Sequence, residues 1–165
     1  MLIILAGLPG VGKTAIAREL ARQLGAVHVR IDSIEQAIRD SGLSTRDLED
    51  KGYRAGYGIA EDNLRAGRTV IADSVNPLPV TRDAWVQVAK RVQAHAVEIE
   101  IICSDAAEHR RRVEMRTTDV PGLRLPAWEE VVSRDYRPWT RGRIVIDTAG
   151  RSVDQSVAQI REALL

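Results

Sequence analysis

Residues 7–14 read Gly-Leu-Pro-Gly-Val-Gly-Lys-Thr, an unbroken G-x-x-x-x-G-K-[ST] pattern. A chain that turns on these glycines points successive backbone N–H groups at one spot, which makes an anion nest. The arrangement needs a buried strand that delivers the chain and a helix that leaves with its positive end toward the anion. Leu2–Ala6 is a continuous apolar run, as expected of a strand buried on both faces of a parallel sheet. From Thr14 to Leu24, the residues Ile16, Ala17, Leu20, Ala21 and Leu24 form one stripe at helical spacing, and Gly25 ends it.

In such a loop the lysine reaches the β- and γ-phosphates of a nucleoside triphosphate, and the following hydroxyl ligates Mg²⁺. Lys13 and Thr14 take those places. The expected nucleotide site is therefore Gly7, Leu8, Pro9, Gly10, Val11, Gly12, Lys13, Thr14 and Ala15, with ATP and Mg²⁺ as its cofactors.

Strand-like and helix-like segments alternate along the rest of the chain. Val27–Ile31, Arg68–Ala72, Ala96–Ile102 and Arg143–Ile146 read as strands. Helices are expected after Ser33 as cap, from Thr81, after Ser104 as cap through the arginine-rich stretch 108–116, over 127–136, and after Ser152, which with Gln155 suggests a capping box. This alternation predicts an α/β fold with a parallel sheet covered on both faces. Residues 117–126 hold two prolines and a glycine and read as a short lid. The stretch Gly52 to Gly58, with tyrosines between glycines, reads as a flexible substrate-side segment.

In open parallel sheets, ligands bind beyond the carboxyl ends of the strands. Asp73 closes the run TVIAD and is expected to hold Mg²⁺ with Thr14. Asp32 ends the second strand, where it would accept the proton of an attacking hydroxyl or cap the next helix. Arg112 and Arg116 are four apart on one expected helix face beside the lid. They suit delivery of positive charge on closure, whereas Arg110 and Arg111 suit a solvated face. Arg30, Arg54, Tyr57, Asn76 and Arg82 are candidates for contact with a substrate. His28, His95 and His109 have no metal-ligand spacing, and Cys103 reads as core.

With 165 residues, the length predicts a single domain. Lys and Arg total 24 against 23 Asp and Glu, a balance that disfavours a broad nucleic-acid surface. One cysteine allows no internal disulfide, which suits a reducing cytoplasm. No run is long and apolar enough for a membrane span.

The order GLPGVGKT, RID, VIADSVN, RRVEMR before a lid, and VIDTAG resembles the small P-loop kinases. Within these AAA-type ATP-binding proteins it is similar to polynucleotide kinase domains, chloramphenicol phosphotransferase, zeta-type toxins and gluconate kinase. The resemblance implies a P-loop NTPase sandwich with strand order 2-3-1-4-5. It implies Asp32 as the acceptor-activating carboxylate, Arg112 near the base, Arg116 on phosphate, and adenine near the loop after Val145-Ile146-Asp147-Thr148.

The expected activity is an ATP-dependent phosphotransferase acting on a hydroxyl of a small molecule, with Lys13, Asp32 and Arg116 in the chemistry. Alternatives are a nucleic-acid 5′-OH kinase and an ATP-binding regulator without an acceptor. A monomer or homodimer with a small-molecule partner, and no membrane, completes the expectation.

Overall fold

The computed structural model describes residues 1–42, 46 and 48–165. Five strands form one all-parallel sheet in the order β2-β3-β1-β4-β5: β1 Leu2–Ala6, β2 Val27–Arg30, β3 Val70–Asp73, β4 Ala96–Ile102 and β5 Ile144–Asp147. Its register pairs Leu2 with both Val70 and Ala96, so β1 is the central strand.

The uniform apolar composition of β1 follows from that place. Ile3 and Leu5 enter a core roofed by helices α1 (Lys13–Leu24) and α7 (Val153–Ala163), while Leu2 and Ile4 enter a second core on the other face. All four are fully buried. Side chains of this size contribute roughly 1.5–3 kcal/mol each on burial. The second core is roofed by α3 (Leu48–Arg65) and α4 (Pro79–Arg91).

The expectation of a flexible segment at Gly52–Gly58 is corrected, because the stretch lies inside α3. Gly56 is buried, and a Cβ there would come within 2.4 Å of the Ile31 side chain and 3.4 Å of Trp85. At Gly52, a Cβ would come as close to Glu35. The glycines thus allow α3 to lie tightly on α2 (Ile31–Asp40). Close helix packing, and not backbone freedom, accounts for Gly52 and Gly56.

Several boundaries also shift. Strand β2 ends at Arg30 and α2 starts at Ile31, so the cap position belongs to Arg30 and not to Ser33 or Asp32. Helix α4 starts two residues early with proline in its first turn. Helix α5 (Ala106–Met115) is capped by Asp105, whose carboxylate accepts from the Glu108 amide, and not by Ser104. Helix α6 is short, Trp128–Val132. The capping box at Ser152 and Gln155 is present.

Candidate active site

A cleft of about 1300 Å³ opens beyond the carboxyl ends of β1, β2 and β3. Pockets for one drug-sized ligand run to roughly 300–1,000 Å³, so this cleft is larger than one such ligand needs.

The loop 7–12 forms its base. Gly7 has φ 138°, and a Cβ there would stand 2.1 Å from the Ile101 carbonyl oxygen. No other residue fits that close pass between β1 and β4. Gly12, at φ 100°, is the residue from which α1 starts. The loop is braced from outside. The Gly7 amide donates to Val75 O at 3.1 Å. Thr148 Oγ1 donates to Val11 O at 2.9 Å, and His109 Nε2 stands 2.8 Å from Pro9 O. Val11 is buried and Leu8 packs on the core. Pro9, Gly10, Gly12, Lys13, Thr14 and Ala15 face the cleft.

Lys13 is only 8% exposed and donates to Leu8 O at 3.0 Å. Burial lowers its pKa to about 8. The charges of Asp73 and Asp32 oppose that change, and those of Arg116 and Arg134 add to it. Asp73 ends β3 and is 3% exposed. Burial alone would raise its pKa. Hydrogen bonding from His28 outweighs that together with the Lys13 and His28 charges and the Thr14 hydroxyl, so its carboxyl titrates below the usual range. His28 Nε2 lies 3.0 Å from Asp73 Oδ2. The sequence singled out no role for His28; position 28 on a strand beside β3 was the only available signal.

Asp32 is exposed in the first turn of α2 and lines the cleft. Its charge acts on both Lys13 and Arg116. Arg112 and Arg116 do not share a helix face as expected, since α5 stops at Met115 and Arg116 continues in extended conformation. Arg112 Nη1 donates to Thr148 Oγ1 at 2.8 Å and Nη2 to Thr148 O at 2.9 Å, which ties it to the loop after β5. Arg116 lies in the cleft, and its Nε is buried without a partner. Burial lowers its pKa, Asp32 resists this, and Arg30 adds to it. Arg110 pairs with Glu114 on the exposed face.

Sequence reasoning missed Arg134, which follows α6, lines the cleft and contributes to the field at Lys13. Nothing in the local sequence marks it; only the fold brings it near residue 13.

Arg30, Arg54 and Tyr57 line the cleft as expected. Asn76 and Arg82 stand outside it, so the structure departs from the expectation that they face a substrate. Asn76 is fully buried, and its Nδ2 donates to Leu5 O at 2.7 Å. Arg82 is 2% exposed. It donates to the carbonyls of Asn76, Pro77, Arg137 and Pro138 and lies 4.2 Å over the Trp139 ring. Arginine enrichment hid this difference, because a buried backbone clamp and a substrate contact use the same side chain.

The segment 117–126 contributes Asp119, which joins Arg18 of α1 and Arg30 of β2. Those contacts hold its carboxyl down at about 2. Trp128 of helix α6 stands edge-on to His109, with ring centres 5.1 Å apart, behind the contact of His109 with Pro9 O.

The oxygen donors fit Mg²⁺. Asp73 is ionised and next to the Thr14 hydroxyl, and Mg²⁺ is typically held by one or two carboxylates plus substrate phosphates. Among the described residues no cluster of three His, Cys, Asp or Glu could hold a metal unaided. No described helix is long and apolar enough to cross a membrane.

A family model described as an AAA domain matches residues 2–134. Among solved structures, the chain is similar to a provisionally assigned kinase from Chloroflexus aurantiacus, with TM-score 0.75 and 22% identity over 99% of this chain and 98% of that one. It is also similar to the Mycobacterium tuberculosis APS kinase CysC in complex with AMPPNP and APS (TM-score 0.71, 17% identity, 99% and 96% covered). A third is Chaetomium thermophilum Kti12 in complex with ADP-AlF3 (TM-score 0.67, 21% identity, 100% of both chains covered). These likenesses show the fold. No curated protein sequence matches the chain significantly.

Proposed function

The chain belongs to the AAA-domain family, and on that premise we propose that it is an ATP-dependent phosphotransferase moving the γ-phosphate to a hydroxyl of a small molecule. The observation that carries the reading is the single cleft that joins the phosphate loop to a second half lined by Asp32, Tyr53 and Tyr57. A site for nucleotide alone would need no such extension.

The loop amides and Lys13 hold the β/γ-phosphates. Thr14 and Asp73 are the residues that would hold Mg²⁺, which would neutralise charge on the phosphates and the leaving group. Arg112, fixed on Thr148, frames the side of the base. Asp32 orients the acceptor hydroxyl and takes its proton as the new O–P bond forms and the bond from Pγ to the β-phosphate oxygen breaks, with ADP leaving. Arg116 supplies positive charge to the transferring group. The APS kinase with AMPPNP and APS and Kti12 with ADP-AlF3 support nucleotide binding by this fold in those proteins.

The test is ATP consumption screened against hydroxyl-bearing metabolites, antibiotics, nucleosides and 5′-OH oligonucleotides. At least one small alcohol should raise turnover well above that of the protein alone. Turnover raised only by oligonucleotides would favour the nucleic-acid reading, and none raised would favour a regulator.

A further inference from the structure

Resting on the phosphotransferase reading, we infer that the acceptor is an uncharged alcohol carrying a flat or cyclic apolar body, such as a nucleoside or an aromatic alcohol, and not a polyanion or a sugar acid. The acceptor half of the cleft has an aromatic side and an apolar side. On α3, Tyr53 and Tyr57 line it with ring centres 6.0 Å apart. Tyr57 is held edge-on against the buried Trp85, ring centres 4.6 Å apart. Tyr53 is held by its hydroxyl, which accepts from the Asn76 amide at 3.1 Å. Two anchored rings are a rigid surface with little rotamer entropy left to lose on binding.

The apolar side comes from Val75, Pro77, Leu78, Val80 and Ala84. Val80 is 67% exposed, a large apolar side chain left in water on the rim of a binding cleft. Such surface is what a ring covers on binding.

The charges of this half argue in the same direction. Arg30, Arg39 and Arg54 are matched in number by Asp32, Glu35 and Asp50. Two of the arginines are already committed, Arg30 to Asp119 at 2.9 Å and Arg54 to Asp50 at 2.6 Å. Arg39 contacts Gln36 at 3.4 Å. A polyanionic acceptor would have to break those pairs, and the further positive groups gathered together, Lys13, Arg116 and Arg134, lie on the phosphate side of the cleft. One polar group is left waiting: Ser74, 5% exposed, lines the cleft with its hydroxyl unpartnered. It follows Asp73 directly and suits one hydrogen bond to a hydroxyl on an otherwise apolar ligand.

Calorimetry of the full chain with ADP and Mg²⁺ present tests this with four probes: thymidine, 2-phenylethanol, gluconate and a short 5′-OH oligothymidylate. At least one of the two neutral ring alcohols should bind, with equal affinity at low and high salt. That affinity should fall by about tenfold in Tyr57→Ala and in Val80→Asp, the latter lying at an exposed position that leaves the fold intact. Tighter binding of gluconate or of the oligonucleotide than of both ring alcohols overturns the inference. So does refusal of both ring alcohols, or unchanged affinity in either variant. ATP with Mg²⁺ titrated into the nucleotide-free protein separates the two levels. Wild type that fails to bind ATP rejects the phosphotransferase reading itself, whereas normal ATP binding with both ring alcohols refused rejects the acceptor class alone.

Discussion

Lys13 carries its charge in a place where charge is costly, and two measurable consequences follow. Its folded pKa of about 8 lies below the 10.5 of an exposed lysine. Between those values the unfolded chain holds a proton that the folded chain lacks, so stability rises with pH across that window. Below pH 8 the cost is fully present, on the order of 3 kcal/mol by the usual conversion of pKa shift to free energy. Lys13→Met should therefore raise the melting temperature of the ligand-free protein at pH 7, while calorimetry shows ATP affinity falling at least about tenfold. A lower melting temperature would mean that Asp73 depends on the Lys13 charge more than burial penalises it. At Asp32, the structure separates two roles that the sequence left open, because Arg30 holds the cap position and Asp32 sits one residue inside the helix. Asp32→Asn should thus keep ATP affinity and lose about a hundredfold to ten-thousandfold in turnover of the true acceptor. Near-normal turnover would remove Asp32 from the chemistry. Loss of ATP binding with the fold intact would place it with the metal ligands.

Among the elements, the segment 117–126 and α6 are tied to the phosphate site at two points: Asp119 to Arg18 and Arg30, and Trp128 to His109, whose ring nitrogen meets Pro9 O. If this segment acts as the lid that the sequence suggests, Asp119→Ala should free it in the ligand-free protein, seen as faster hydrogen exchange over 117–126 with the rest of the chain unchanged. Unchanged exchange would make the pairs mere surface contacts, as many exposed ion pairs are. Because Asp119 titrates at about 2, this clamp persists from neutral pH down and is lost only as pH falls through that value. Elements with a strong period were legible in the sequence: β1, α1, α4 and α7 appear close to where apolar spacing placed them. Helix α3 was not. Its glycines carry the ordinary signal of a flexible segment, and only the proximity of Glu35 to Gly52 and of Ile31 to Gly56 shows that these two let another helix approach. The face shared by Arg112 and Arg116 failed for a similar reason, since the end of α5 at Met115 has no glycine or proline to announce it.

Taken whole, the molecule is two apolar cores separated by one sheet, with the cleft at its carboxyl edge. The alternation of segments announced a parallel sheet, whereas its strand order was legible only through the resemblance to the small P-loop kinases. The segment after α6 was less readable, because its anchor is a buried arginine. Arg82 binds four backbone carbonyls that water does not reach easily. Arg82→Ala should cost about 3 kcal/mol or more, through carbonyls left unpaired. For a chain of this size that is roughly 6–12 °C in melting temperature. ATP affinity in that variant should not change, and a loss would put Arg82 back among the ligand contacts. The register of β1 carries a consequence for how such a chain is made. Leu2 pairs with Val70 on one side and Ala96 on the other, so the strand that leads into the phosphate loop is translated long before either neighbour. At ~5–20 residues per second, the run LIILA waits on the order of 5–20 seconds for β4 to emerge from the ribosome. Until β3 emerges the run has no strand to pair with, and until β4 follows one edge of β1 stays open. The residues on which the phosphate loop is founded are, during biosynthesis, apolar surface of the kind that chaperones shield.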